Sequence, residues 1–151
     1  MEYLDKRITK LREYLISIVN QLVDDTKFQI NANMLSNEPN NYSLDKIPTA
    51  STVEKWIMGL EIHKDVFSFR GRFDYSPEAE NNLENIGFFE SFEYIINSNN
   101  KEGILPEIDG IESIECLNAG TMNNQTSNTA EFDIQIQIKY RVYKENKTMS
   151  L

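Results

Sequence analysis

Four carboxylates, Glu107, Asp109, Glu112 and Glu115, fall within the stretch LPEIDGIESIEC, residues 105–116. Oxygen donors at that density are what a Ca²⁺ or Mg²⁺ site uses, and paired carboxylates also serve acid–base transfer. The spacing argues against the metal. EIDGIESIE lacks the EF-hand pattern of acids and asparagines at alternating positions with a closing glutamate. Pro106 cannot continue a helix. Asp109-Gly110 is a turn pair, because glycine takes positive φ at no steric cost. From Ile111 the chain reads as a strand, so Glu112 and Glu115 have no need to converge on the turn. The stretch is expected to be a solvated connector from a helix to a sheet.

The other reactive residue types are sparse. His63 is the single histidine and Cys116 the single cysteine, whereas a Zn²⁺ site draws three or four Cys, His or carboxylate ligands. His63 is expected at the surface, in a hairpin turn. Cys116 is expected as a small buried hydrophobe in a strand, since a nucleophilic thiol needs a basic partner. Trp56 and the phenylalanines recur at strand spacing and are expected in the core, not as a base-stacking platform. Arg70 and Arg72 are expected as exposed strand charges on the same outward face as Asp74. No phosphate-binding glycine loop, nucleophile elbow or dinucleotide fingerprint occurs. The expectation is no catalytic residue, no cofactor site and no metal site.

Length and charge narrow the class. The chain has 151 residues with a net charge of −9, 40% hydrophobic and 11% aromatic residues. That length predicts a single domain spanning 1–151, able to bury roughly 70% of the surface of its unfolded chain. The acidic balance argues against binding polyanions such as nucleic acid or anionic membranes. No apolar run approaches the ~20 residues of a membrane span, and MEYLDKRITK lacks the apolar segment of a signal peptide. A lone cysteine forms no intrachain disulfide and fits synthesis in a reducing compartment.

Hydrophobic periodicity gives the elements. Leu4, Ile8, Leu11, Leu15, Ile18 and Leu22 mark a helix over 2–23. KFQIN, with Phe28 and Ile30 on one face, is a short strand. Residues 33–49 have no period and read as a long loop of the functional or mobile kind. Deleting 36–44 is expected to spare the fold and weaken assembly. Residues 56–62 and 67–75 alternate as a hairpin with a turn at His63-Lys64-Asp65. Ser76-Pro77 starts a second helix carrying Leu83, Ile86, Phe89, Phe92, Tyr94, Ile95 and Ile96, with Gly87 as a kink or break. Residues 118–129 read as a polar loop. EFDIQIQIKYRVY, 131–143, is a long strand with Phe132, Ile134, Ile136, Ile138, Tyr140 and Val142 on a buried face and Gln137 on the open one. Residues 144–151 read as a flexible tail. The fold class expected is α+β: a mainly antiparallel sheet, with an N-terminal helix and a second helix packed on one face.

The segments NLENIGFFESFEYIINSNNKEGILPEIDGIESIECLNAG and TAEFDIQIQIKYRVY, with the strands VEKWIMG and DVFSFRGRFDYS before them, resemble a known family. The features that carry the likeness are Asn85-Ile-Gly-Phe-Phe-Glu90, Leu105-Pro106 before a strand, a small-residue turn near Gly120 and an alternating strand reaching Tyr140. Over about residues 50–143 the chain resembles the tail terminators, or minor capsid proteins, of long-tailed phages of Gram-positive hosts. The resemblance implies a structural virion protein: a hexameric ring that caps the tail tube and supports head–tail joining. It implies as partners further copies of the chain, the tail tube protein and a head-completion or connector protein. DNA would pass through the ring with no specific binding and no membrane contact. Localisation would be the head-proximal end of the virion tail, after synthesis in the host cytoplasm. The family brings no catalytic residues. Two alternatives stand beside it. One is a small-molecule-binding or enzymatic α+β domain with a polar site around the 105–115 turn. The other is a different head–tail connector component such as a stopper.

Overall fold

The computed structural model describes residues 3–22, 29–32, 41–48, 52–74, 79–118, 120–125 and 129–143. In chain order these form α1 (Leu4–Leu22), β1 (Gln29–Ala32), β2 (Asn41–Ile47), β3 (Thr52–Lys55), a 3₁₀ turn at Ile57–Gly59, β4 (Leu60–Asp74), α2 (Ala79–Glu102), β5 (Ile111–Cys116), β6 (Thr121–Gln125) and β7 (Thr129–Tyr143). The class is α+β. One seven-stranded sheet runs β1-β2-β4-β7-β5, with β3 also on β4 and β6 also on β7. The β1–β2 pair is parallel and the other pairs are antiparallel.

The spine is β4 against β7. They pair along their whole length, from Leu60↔Tyr143 to Asp74↔Thr129. Shorter strands lie end to end along the two free edges. β3 covers 61–63 of β4 and β2 covers 66–72. β6 covers 130–133 of β7 and β5 covers 136–140. A fifteen-residue strand is long, and this edge coverage leaves few of its backbone groups unpaired.

The strand residues of the core share one face by register. Phe67, Phe69 and Phe73 of β4 stand opposite Ile136, Ile134 and Ala130 of β7, with Tyr42 and Leu44 of β2 and Ile114 of β5 beside them. The same cluster contains Leu11, Leu15, Ile18 and Val19 of α1 and Phe89, Phe92 and Ile96 of α2. Aromatic rings dominate its centre. Phe69 stacks on Tyr42 at 5.5 Å and on Phe92 at 5.1 Å between ring centroids, and Phe73 meets Phe89 edge-on at 5.6 Å. The stripe of α1 is centred differently from expectation: Leu4 is exposed, while Arg7 and Tyr14 are buried.

The connector 103–110 behaves as its residues require. Gly103, at φ +74°, closes α2, with Ile104 N–H donating to Asn99 O at 2.8 Å. Pro106 and Ile108 are buried. Gly110, at φ +75°, turns the chain into β5, and its carbonyl accepts from Arg141 N–H at 2.8 Å.

Several expectations are corrected. No turn forms at His63-Lys64-Asp65, because these residues lie inside continuous β4. The polarity of His63 and Asp65 serves side-chain partners, Glu61 and Arg7, and not a change of direction. The loop 33–49 contains β2, whose Tyr42, Ser43 and Leu44 are buried. Its second sheet face is polar, which dilutes the apolar alternation. Deleting 36–44 would therefore remove core. The loop 118–129 contains β6, held by backbone pairing to β7 despite its asparagines. α2 passes through Gly87 unbroken. Trp56 and Tyr94 are 59% and 74% exposed rather than in the core. Phe28, the Ser76-Pro77 helix start, the side chains of Leu83 and Ile86, residues 33–40 and the tail 144–151 lie outside the described residues.

Candidate functional site

The four carboxylates of the opening stretch do not meet. Glu107 and Asp109 are exposed on the connector. Glu112 faces the Arg141 guanidinium at 3.4 Å, and Glu115 accepts from Gln137 Nε2 at 2.8 Å. Asp109 and Glu107 line different grooves. Asp109, Gly110, Arg141, Val142 and Tyr143 line one of about 360 Å³. Glu107 lines another, of about 570 Å³, between the outer side of α1 and the α2–β5 connector. Among the described residues no three His, Cys, Asp or Glu side chains gather as they would around a metal ion.

Cys116 sits on β5 against the core. Burial pushes its thiol up to about 12, with the negative charges of Glu93 and Glu115 adding to the shift. The species present near neutrality is therefore the thiol, which is a poor nucleophile. His63, expected at the surface, is mostly covered within β4. Its Nε2 lies 2.7 Å from Glu61 Oε1, and its ring is 5.8 Å from that of Tyr140.

His63 borders a buried polar group that the sequence reading missed. Arg7 Nε donates to Asp65 Oδ2 at 2.7 Å, and its guanidinium carbon lies 4.7 Å from the centre of the Tyr140 ring. Tyr140 OH donates to the other Asp65 oxygen at 3.4 Å. Burial, then the Asp65 carboxylate, raises the Tyr140 phenol to about 12 against the opposing pull of Arg7. Both oxygens of Asp65 are thus engaged and the phenol stays protonated. Chemically this is a clamp that holds the start of α1 on β4 and β7. The signal was present: Arg7 lies four residues before Leu11 in the α1 stripe, and Asp65 is in phase with Phe67 and Phe69.

The opposite sheet face carries a charge ladder across β2, β4 and β7. Arg70 bridges Asp45 at 2.6 Å and Glu131 at 3.1 Å, and Arg72 reaches Glu131 at 3.7 Å. Ser68 donates to Asp133 at 2.7 Å and Ser43 to Asp45 at 2.8 Å. Glu131 and Ser43 are buried. Arg70 and Arg72 are therefore neither ordinary nor freely exposed; their side chains are only 27% and 12% accessible. The ladder follows from register, since Arg70 stands between Ser43 on one side and Asp133 on the other.

Large apolar side chains are exposed where β4 begins and β7 ends. Trp56 and Met58, in the β3–β4 turn, are 59% and 83% accessible, and Tyr143, opposite Leu60, is also exposed. No protein-family model and no curated protein matches this chain.

Proposed function

We propose that this protein is a structural component of a phage tail, a terminator that caps the tail tube as a hexameric ring and supports joining to the head. The observation that carries the reading is the family-like layout over about 50–143. In it, two long strands are separated by a helix, a Leu105-Pro106 connector and two short strands. The engaged state of the polar side chains supports the same reading: Asp65 and Glu131 hold elements together and do not line the two grooves described above. In this reading α1 and α2 form one layer on the apolar sheet face, and the exposed side chains at the β3–β4 end are available to neighbours. Partners are further copies of the chain, the tube protein and a head-completion protein, and the location is the head-proximal end of the virion tail. The acidic charge suits a passage for DNA, because like charge prevents sticking. The test is electron microscopy of the protein alone and mixed with tail tube protein. Six-fold rings seated on tube ends are the expected result. Tubes that grow without limit beside a protein that never contacts them would overturn the reading.

A further inference from the structure

Two lysines face each other across the spine of the sheet. Lys64 of β4 and Lys139 of β7 are register partners, on the polar face opposite the one that holds Phe67 and Ile136. Gln135 O accepts from Leu117 N–H, and Arg141 N–H donates to Gly110 O. The odd-numbered residues of β7 therefore turn their backbone groups towards β5, and Lys139 and Lys64 form a non-hydrogen-bonded pair. Cα atoms in such a pair lie about 4.5 Å apart, closer than in the hydrogen-bonded kind. Like charges at directly opposed positions destabilise a sheet.

Among the described residues nothing relieves this repulsion. Neither lysine makes a side-chain hydrogen bond or ion pair with any of them. The arginines of the same face are all engaged: Arg70 with Asp45 and Glu131, Arg72 with Glu131, and Arg141 with Glu112. Glu115 of β5 is taken by Gln137. Both lysines are partly covered, and along β4 the same face carries the buried side chains of Ile62 and Val66 on either side of Lys64. Apolar neighbours lower the local dielectric, which strengthens the repulsion and equally the attraction for an anion. Strand lysines often guard an open sheet edge, but Lys139 has β4 on one side and β5 on the other.

We propose that Lys64 and Lys139 hold a compact oxyanion, a phosphate group, between their ammonium groups, with Arg141 at the next position of the same face as a third cation. A divalent anion with several acceptor oxygens takes hydrogen bonds from both ammonium groups and offsets both charges at once. The net charge of −9 decides the size of the ligand. An extended polyanion would be repelled by the rest of the surface, whereas a single phosphate or pyrophosphate meets mainly the cations around it. The site does not depend on the ring reading.

The full-length protein is melted at constant ionic strength, in chloride and in rising pyrophosphate. A ligand bound only by the folded state raises Tm along a binding curve. General exclusion of phosphate salts from protein surfaces raises it without saturation and in every variant. The expected result is a saturating rise, matched by broadening of the pyrophosphate phosphorus NMR signal on adding protein. Lys64→Gln and Lys139→Gln each weaken the binding by about tenfold or more, and Lys101→Gln, at the exposed end of α2, leaves it unchanged. Lys64→Glu puts opposite charges across the strands, so it melts above the wild type in chloride and loses the response to pyrophosphate. An equal response in the wild type and in the Lys64→Gln, Lys139→Gln double variant overturns the site. So does a Lys64→Glu protein that melts below the wild type in chloride. Tighter binding of a single-stranded DNA oligonucleotide, or of vesicles containing anionic lipid, than of pyrophosphate overturns the compact ligand.

Discussion

Gly110 and Gly87 are opposite cases of one residue type. A Cβ on Gly110 would sit 2.5 Å from Arg141 O, at a φ of +75° that L side chains avoid. Gly110→Ala is expected to cost about 1–3 kcal/mol from backbone strain alone, before any clash displaces β7. A Cβ on Gly87 meets nothing within 4 Å inside α2, so Gly87→Ala is expected to stabilise by about 0.5–1 kcal/mol. Urea denaturation of the two variants checks both signs. Also at this scale, Arg7 and Asp65 form a buried pair. Asp65→Leu alone removes the carboxylate bonded to a buried guanidinium and should cost about 3–5 kcal/mol, whereas Arg7→Met with Asp65→Leu should recover much of that loss. A double-mutant cycle with no coupling would remove the clamp. Cys116 adds a pH dependence. Its folded pKa of about 12 exceeds its ordinary 9.0, so the folded state keeps a proton that the unfolded state releases. That contribution is full below pH 9 and is lost as pH rises towards 12. Tyr140, raised from 10.0 to about 12, adds its own loss only above pH 10. The urea midpoint should therefore fall from about pH 9 to 10 in the wild type and fall less in Cys116→Ala.

At the scale of elements, β7 shows how far alternation reaches. Ile136 is fully buried on the apolar face, and Ile136→Ala is expected to cost about 2–5 kcal/mol through lost burial and a cavity. Gln137, on the other face, is expected from alternation to be dispensable. It is 9% exposed and holds Glu115, so Gln137→Ala should cost about 1 kcal/mol. Equal costs in chemical denaturation would mean that the two faces are wrongly assigned. β2 makes the larger correction. Deleting 36–44 removes Tyr42 and Leu44 from the core and Ser43 from the ladder, so the variant should lose cooperative unfolding and its near-ultraviolet dichroism. A folded deletion variant would contradict the placement of β2 beside β4.

At the scale of the whole molecule, two polar systems lie on opposite faces of the sheet. The Arg7–Asp65–Tyr140 clamp ties α1 to β4 and β7, and the Arg70 ladder ties β2 to β4 and β7. Neither leaves its carboxylates open to a substrate. This bears on the function proposed. Among the described residues, Trp56 and Met58 at the β3–β4 turn are exposed apolar side chains that the core does not use. Removing Trp56 should leave the unfolding free energy nearly unaltered, since an exposed side chain contributes little to folding.

The α1 stripe, the helical run through Phe89, Phe92 and Ile96, the connector at Pro106 and Asp109-Gly110 and the alternation of β7 were legible in the sequence. Each rests on local rules: periodicity, proline's missing N–H and glycine's freedom at positive φ. β2 and β6 were not legible, because a polar segment becomes a strand when a long neighbour offers its backbone a ladder, and that neighbour is distant in sequence. The turn expected at His63-Lys64-Asp65 failed for the same reason. Asp65 is satisfied by Arg7, which lies 58 residues away, and His63 is held by Glu61 within the strand. The carboxylates of 107–115 were separated from any common site by the direction of β5, and the Trp56 side chain by a turn that begins before its expected strand. Local chemistry settled the elements with one face in oil and one in water; tertiary pairing alone decided where charged and polar residues could be buried.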